Sequence, residues 1–159
     1  MNRQLPAIPL GIPQHMESPD AFNTSNRGKF DVLCNEVVAL KKSGSGEYQQ
    51  LKLMGDAYLK STVYGLLKRH GDKSIEFAAR TITGNDASCA MPLFFDKHLG
   101  AKHNQALPNE RGQIDSHAKA DVVEALLELA RRKKDTFAFI FIIKELFILA
   151  NRGEIVNRN

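Results

Sequence analysis

Residues 51–60, LKLMGDAYLK, and residues 119–130, KADVVEALLELA, decide how this chain is read, because each sets carboxylates inside an otherwise apolar helical run. Asp56 is flanked by Leu53, Met54, Ala57 and Tyr58; Asp121 and Glu124 stand among Val122, Val123, Leu126 and Leu127. A carboxylate carried into apolar surroundings is costly unless a cation, a donor or a metal compensates it. Residues three apart share one face of a helix, so Asp121 and Glu124 can converge on a single ion, with Asp56 arriving from a second helix. Three hard oxygen ligands suit Mg²⁺ or Mn²⁺, completed by waters and a phosphate, better than zinc, which favours His and Cys. The same spacing also produces an ordinary solvated acidic face, and spacing alone leaves both readings open.

The order of the two motifs adds to this. GDAYLK, preceded by an apolar pair, and then ADVVEALLELA resemble the catalytic domain of the ribonuclease III family. Between them, TITGNDASCAMPLFFDKHLG (residues 81–100) is similar to the family's middle helix, in which an Asn, here Asn85, precedes a helix that ends at Leu-Gly, here Leu99 and Gly100. The resemblance spans roughly residues 30 to 150.

This resemblance implies an all-α fold, a ribonuclease III-like helical endonuclease domain that pairs as a homodimer and hydrolyses phosphodiester bonds in double-stranded RNA with Mg²⁺, or Mn²⁺ in its place. The family's metal-binding acids fall on Asp56, Asp121 and Glu124, with Asp56 and Glu124 carrying the chemistry and Glu124 the most sensitive. Leu53 and Met54 become candidates for the dimer contact, although single residues of this kind are more often plain core.

The chain departs from the family pattern at Lys52, where the usual residue is Glu, one turn before Asp56. A lysine there removes a ligand, pairs with Asp56 and competes with the ion. It implies a site with one ion completed by water, or a lysine that touches the RNA phosphate. The alternative function is a catalytically silent relative that binds RNA or serves as a structural or scaffold component.

The chain has 22 Lys and Arg against 18 Asp and Glu, a formal charge of +4, and a pI near 9.1. Part of this mild basic excess is clustered at Lys68, Arg69 and His70 and at Arg131, Arg132, Lys133 and Lys134. Either cluster can meet a phosphate backbone, and Arg131 and Arg132 join Lys52 as candidate RNA contacts. Cations closing a helix C-terminus are the competing reading of the second cluster.

At 159 residues and 43% hydrophobic content, the chain has material for one core. The expected organisation is an extended or disordered arm at 1–29, punctuated by Pro6, Pro9, Pro13 and Pro19, then a helical domain at 30–151 and a short tail at 152–159. Only NRGEIVNRN follows the last apolar helix, which matches the compact class of the family, without a double-stranded-RNA-binding domain.

Within the domain, Phe30, Leu33, Val37 and Leu40 form a helical stripe that SGSGE interrupts. The first-motif helix is expected from about Tyr48 to Arg69, with Gly71 as a stop; residues 101–116 are expected as a loop. Asp115 or Ser116 should cap the second-motif helix, and Asp135 or Thr136 a last helix ending before Gly153. TFAFIFIIKELFILA in that last helix is apolar almost all round, yet too short and too interrupted by Lys144 and Glu145 to span a membrane.

Cys34 and Cys89, both expected in helices, read as free thiols, and His15, His70, His98, His103 and His117 have no zinc-site spacing with them. No signal-peptide pattern opens the chain. A reducing, intracellular setting is expected, cytoplasmic or nuclear, with mitochondrial as the alternative.

Overall fold

The second motif folds into the helix that organises everything else. The computed structural model describes residues 24–68, 75–103 and 115–157. Among them there is no strand; the elements are α1 (Thr24–Lys42), α2 (Gly46–Lys68), α3 (Ile75–Thr83), α4 (Ala90–His98), α5 (Gly100–His103), α6 (Ser116–Arg132) and α7 (Thr136–Asn157). The all-α expectation therefore holds.

From Val122 to Ala130 every residue of α6 is buried, and α6 packs against α1, α2, α4 and α7. A helix buried on all sides is a core helix, and each fully buried Leu or Val there contributes about 1.5–3 kcal/mol relative to exposure. The stripe on α1 turns Phe30, Leu33 and Val37 into this core, with Leu40 packed at its edge. Helix α7 closes the other side with Ala138, Ile142, Ile143, Leu146 and Phe147.

Local chemistry sets the helix ends. Asp115 caps α6 by accepting a 2.8 Å hydrogen bond from the Ala118 amide, and Asp135 caps α7 through the Ala138 amide at 3.0 Å. The SGSGE break is a three-residue turn: Gly44 takes a φ of +68°, and Ser45 Oγ accepts from the Glu47 amide at 3.0 Å to start α2. Pro92 is tolerated because it lies in the first turn of α4, where amides have no helical acceptor.

A buried polar junction fastens α4 to α7. His98 Nε2 lies 2.9 Å from Glu145 Oε2, Lys97 Nζ donates to the same carboxylate at 3.2 Å, and the imidazole is ringed by Phe30, Phe94 and Phe141. Burial alone would push Glu145 up, but His98, through its hydrogen bond, and Lys97 hold it below its ordinary value.

Several boundaries differ from expectation. Helix α1 begins at Thr24, inside the expected arm, because no proline lies between Pro19 and Lys42, Arg27 and Asp31 pair at 3.4 Å one turn apart, and Phe30 anchors the helix in the core. Helix α7 runs through Gly153 to Asn157; a lone helical glycine costs only about 1 kcal/mol and need not stop a helix. Gly100–His103 is helical rather than loop, Cys89 is the N-cap of α4 rather than a helical residue, and α3 was not anticipated. The expected arm before residue 24, the stop at Gly71, the loop around Pro108 and Gly112, and Arg69, His70 and His15 lie outside the described residues.

Both cysteines are free, and burial pushes the Cys34 thiol up to about 12, so it is inert at neutral pH. No described helix is long and apolar enough to cross a membrane.

Candidate functional site

Gly55 brings the two motifs together. A Cβ at this position would overlap the backbone carbonyl of Glu124, so α2 and α6 meet backbone to backbone where Asp56 follows Gly55. Any larger residue would hold the helices apart.

From this crossing, side chains spaced four apart on α2 (Tyr48, Lys52, Asp56 and Lys60) face Asp121 and Glu124 on α6. Glu124 is the buried member, 8% exposed, and its carboxyl is pushed up to about 8 by burial first and then by Asp56 and Asp121. Asp121 is half-buried and also raised, burial outweighing the nearby cations led by Lys52. Asp56 from α2 and Asp121 from α6 thus both act on Glu124.

Two expectations about individual residues need correction. Asp56 is not the buried carboxylate: its side chain is 37% exposed and pairs with Lys60, one turn on, at 3.2 Å. The rim of the crossing leaves it solvated, and the burden of desolvation falls on Glu124 instead. Lys52 does not pair with Asp56; it reaches across to α6, 3.9 Å from Asp121. Position four before Asp56 on α2 projects toward the facing helix, where Asp121 offers the closer charge.

Lys52 and Lys60 therefore each engage a carboxylate, and among the described residues no three His, Cys, Asp or Glu side chains are gathered into a group ready to hold a metal. The donor set is nonetheless suited to a hard cation. Lys60 is half-exposed, the Lys52 contact is long, and exposed ion pairs contribute at most about 1 kcal/mol, so a divalent ion can displace them. Burial raises the Glu124 carboxyl first, and Asp56 and Asp121 raise it further against the opposing pull of Lys60 and Lys52.

The candidate RNA contacts Arg131 and Arg132 are partly occupied. Glu128, whose side chain is fully buried, accepts from Nε and Nη2 of Arg131 and from Nε of Arg132 at 3.2 Å, and these arginines hold its carboxyl below the ordinary range. Arg131 also lies over the Tyr58 ring, 5.1 Å from its centroid. Lys133 pairs with Glu36 at 2.8 Å. The cluster is therefore more a clamp on the end of α6 than a free basic patch. Beside it, Tyr58, Arg131, Lys134, Asp135 and Phe139 line an open groove of about 150 Å³.

Leu53 and Met54 are not core: they are 67% and 49% exposed, and Tyr58 and Tyr64 extend this apolar strip along the outer face of α2. Sequence reasoning missed Glu128 and Tyr48. Glu128 is legible in the run EALLELARR as an acid three and four residues before two arginines. Tyr48 gave no signal, since a tyrosine at a helix start reads as ordinary core. No family model, curated protein or solved structure matches this chain.

Proposed function

We propose that this chain is a ribonuclease III-like endoribonuclease, a divalent-metal-dependent hydrolase of phosphodiester bonds in double-stranded RNA that works as a homodimer. The observation that carries the reading is the Gly55 crossing, where α2 and α6 meet backbone to backbone beside Asp56 and the buried Glu124. Asp56, Asp121 and Glu124 would hold Mg²⁺ or Mn²⁺. When bound, such an ion orients and activates water and neutralises charge on the leaving oxygen.

The chain's own residues divide the remaining work. Glu124, sheltered from bulk water, would serve as a ligand in its ionised form, which a bound cation would favour. Lys52 and Lys60, which rest on Asp121 and Asp56, would be available to phosphate oxygens once a cation took over those carboxylates. Double-stranded RNA would be recognised by its shape, through phosphates and 2′-hydroxyls, with affinity that falls as salt rises. The exposed strip of Leu53, Met54 and Tyr58 supports pairing of two copies along α2, since exposed apolar patches of this kind mark contact surfaces.

The test is incubation of a long double-stranded RNA with Mg²⁺ at low salt, comparing wild type with Glu124→Gln. Wild type should cut and Glu124→Gln should lose at least about two orders of magnitude, as expected for removing a metal ligand and charge stabiliser. Uncut RNA in wild type would reject the nuclease reading.

One observation favours a second reading. Lys52 already rests against Asp121, and an ammonium group in that position can serve as a permanent substitute for the ion. The chain would then be a silent relative that binds RNA or serves in an assembly, and cleavage appearing only in Lys52→Glu would select it.

A further inference from the structure

The groove at the end of α6 holds chemistry that the acids of the α2–α6 crossing do not use. Two rings line it: Tyr58 from α2 and Phe139 from α7 meet edge to face, their centroids 5.6 Å apart. Two cations, Arg131 and Lys134, line it beside the rings. Glu128 takes Nε and Nη2 of Arg131 and so fixes the guanidinium over Tyr58, while Nη1 keeps its N–H groups for another acceptor.

Lys134 is placed by the way α6 ends. The Asp135 amide donates to the Ala130 carbonyl at 2.9 Å and the Lys134 amide to the Arg131 carbonyl at 3.1 Å, a turn whose left-handed residue is usually glycine. Here that residue is Lys134, at a φ of +57°. A side chain is strained in this conformation, and strain that a glycine would remove points to a use for the side chain. Lys134 is exposed and takes part in none of the ion pairs among the described residues. Asp135, also at the groove, is engaged by the Ala138 amide as the cap of α7.

Size narrows the ligand. At about 150 Å³ the groove is well below the roughly 300–1,000 Å³ of ordinary ligand pockets, so it takes one planar ring rather than a whole cofactor. Bases stack on aromatic rings, and phosphate oxygens accept from arginine and lysine. A phosphate alone would use the cations but not the rings.

We propose that this groove binds one unpaired nucleotide, its base against Tyr58 and Phe139 and its phosphate held by Arg131 and Lys134. Neither a metal nor cleavage is involved, so the site stands independently of the reading of Asp56, Asp121 and Glu124. The nucleotide is either a free mononucleotide or the unpaired end of an RNA.

The experiment uses the full chain at low salt with chelator, as wild type, Tyr58→Leu and Lys134→Gly, with thermal melting of each. Adenosine 5′-monophosphate is titrated by amide nuclear magnetic resonance against inorganic phosphate as control, and RNA hairpins with a blunt or an unpaired, phosphorylated end are titrated by fluorescence anisotropy. The mononucleotide should shift the amides of the α6–α7 turn, and Tyr58→Leu should bind it at least about fivefold more weakly, as for loss of a stacking ring. Lys134→Gly should bind more weakly and with less dependence on salt, yet melt no lower than wild type, because glycine relieves the strain. Tighter binding of the unpaired end than of the blunt one, lost in Tyr58→Leu, would assign the nucleotide to RNA; a response to the mononucleotide with both hairpins bound alike would assign it to the free form. Wild-type affinity in either variant, an equal response to inorganic phosphate, or no response to the mononucleotide with both hairpins bound alike would overturn the proposal.

Discussion

Gly55 of α2 lies so close to the Glu124 carbonyl of α6 that the space for a side chain between them is absent. One contact therefore fixes both how two core helices cross and how Asp56 stands relative to Glu124. Gly55→Ala should cost about 1–3 kcal/mol or more, the range for overpacking a well-filled core, and should lower the melting temperature accordingly. It should also weaken Mn²⁺ binding by moving Asp56 away from α6. Unchanged stability would mean that the helices separate freely and that the crossing does not hold the site.

Glu124 gives the ion-free protein a pH dependence of definite sign. Its carboxyl is raised from an ordinary 4.5 to about 8, so the folded chain keeps a proton that the unfolded chain has released. Stability from this group is full below about pH 4.5 and is lost as pH rises toward about 8. Denaturant unfolding at several pH values should show that decline in wild type and a flatter profile in Glu124→Gln, which should be the more stable protein at pH 8. A matching decline in the variant would assign it to another group.

Glu128 works in the opposite sense. Its buried carboxylate is held ionised by Arg131 and Arg132, so Glu128→Gln should lose charge-assisted hydrogen bonds worth about 1.5–3 kcal/mol each at most, and the melting temperature should fall by several degrees. Because both arginines are then released, binding to double-stranded RNA at low salt should hold or rise. A fall in RNA binding in a variant that remains folded would show that the clamp presents the arginines to RNA.

Leu53 and Met54 bear on assembly. With 67% and 49% of their surface open in the single chain, they form the most exposed part of the apolar strip on α2. Leu53→Glu combined with Met54→Glu should leave the melting temperature of the monomer nearly unchanged and convert a dimer to monomer in light scattering. A dimer that survives the double change would place the pairing surface elsewhere.

The sequence showed the fold class well because the signals were strong: a helical stripe on α1, apolar runs in α6 and α7, and Asp115 and Asp135 as caps. Spacing put Asp121 and Glu124 on one helix face and the family resemblance added Asp56 from a second helix; the close approach of the two helices at Gly55 became visible only in the packing. Burial was less legible. Flanking apolar residues suggested that Asp56 is desolvated, yet Leu53 and Met54 point outward and Asp56 sits at the rim. The partner of Lys52 was misread for a related reason: spacing along one helix shows which residues share a face, but not what the facing helix offers. Tyr48 lay beyond sequence reasoning altogether, since its buried hydroxyl without a partner is a property of packing.

The central claim is that the acids at the α2–α6 crossing cut double-stranded RNA by metal-assisted hydrolysis. The most direct measurement is cleavage of a long double-stranded RNA by the full chain with Mg²⁺ and with chelator, followed by analysis of the new ends. Cleavage is expected only with the metal, lost in Glu124→Gln, with products bearing 5′-phosphate and 3′-hydroxyl ends, because the leaving group is the 3′ oxygen. Cleavage that persists in chelator, products ending in cyclic phosphates, or intact RNA under every condition would contradict it.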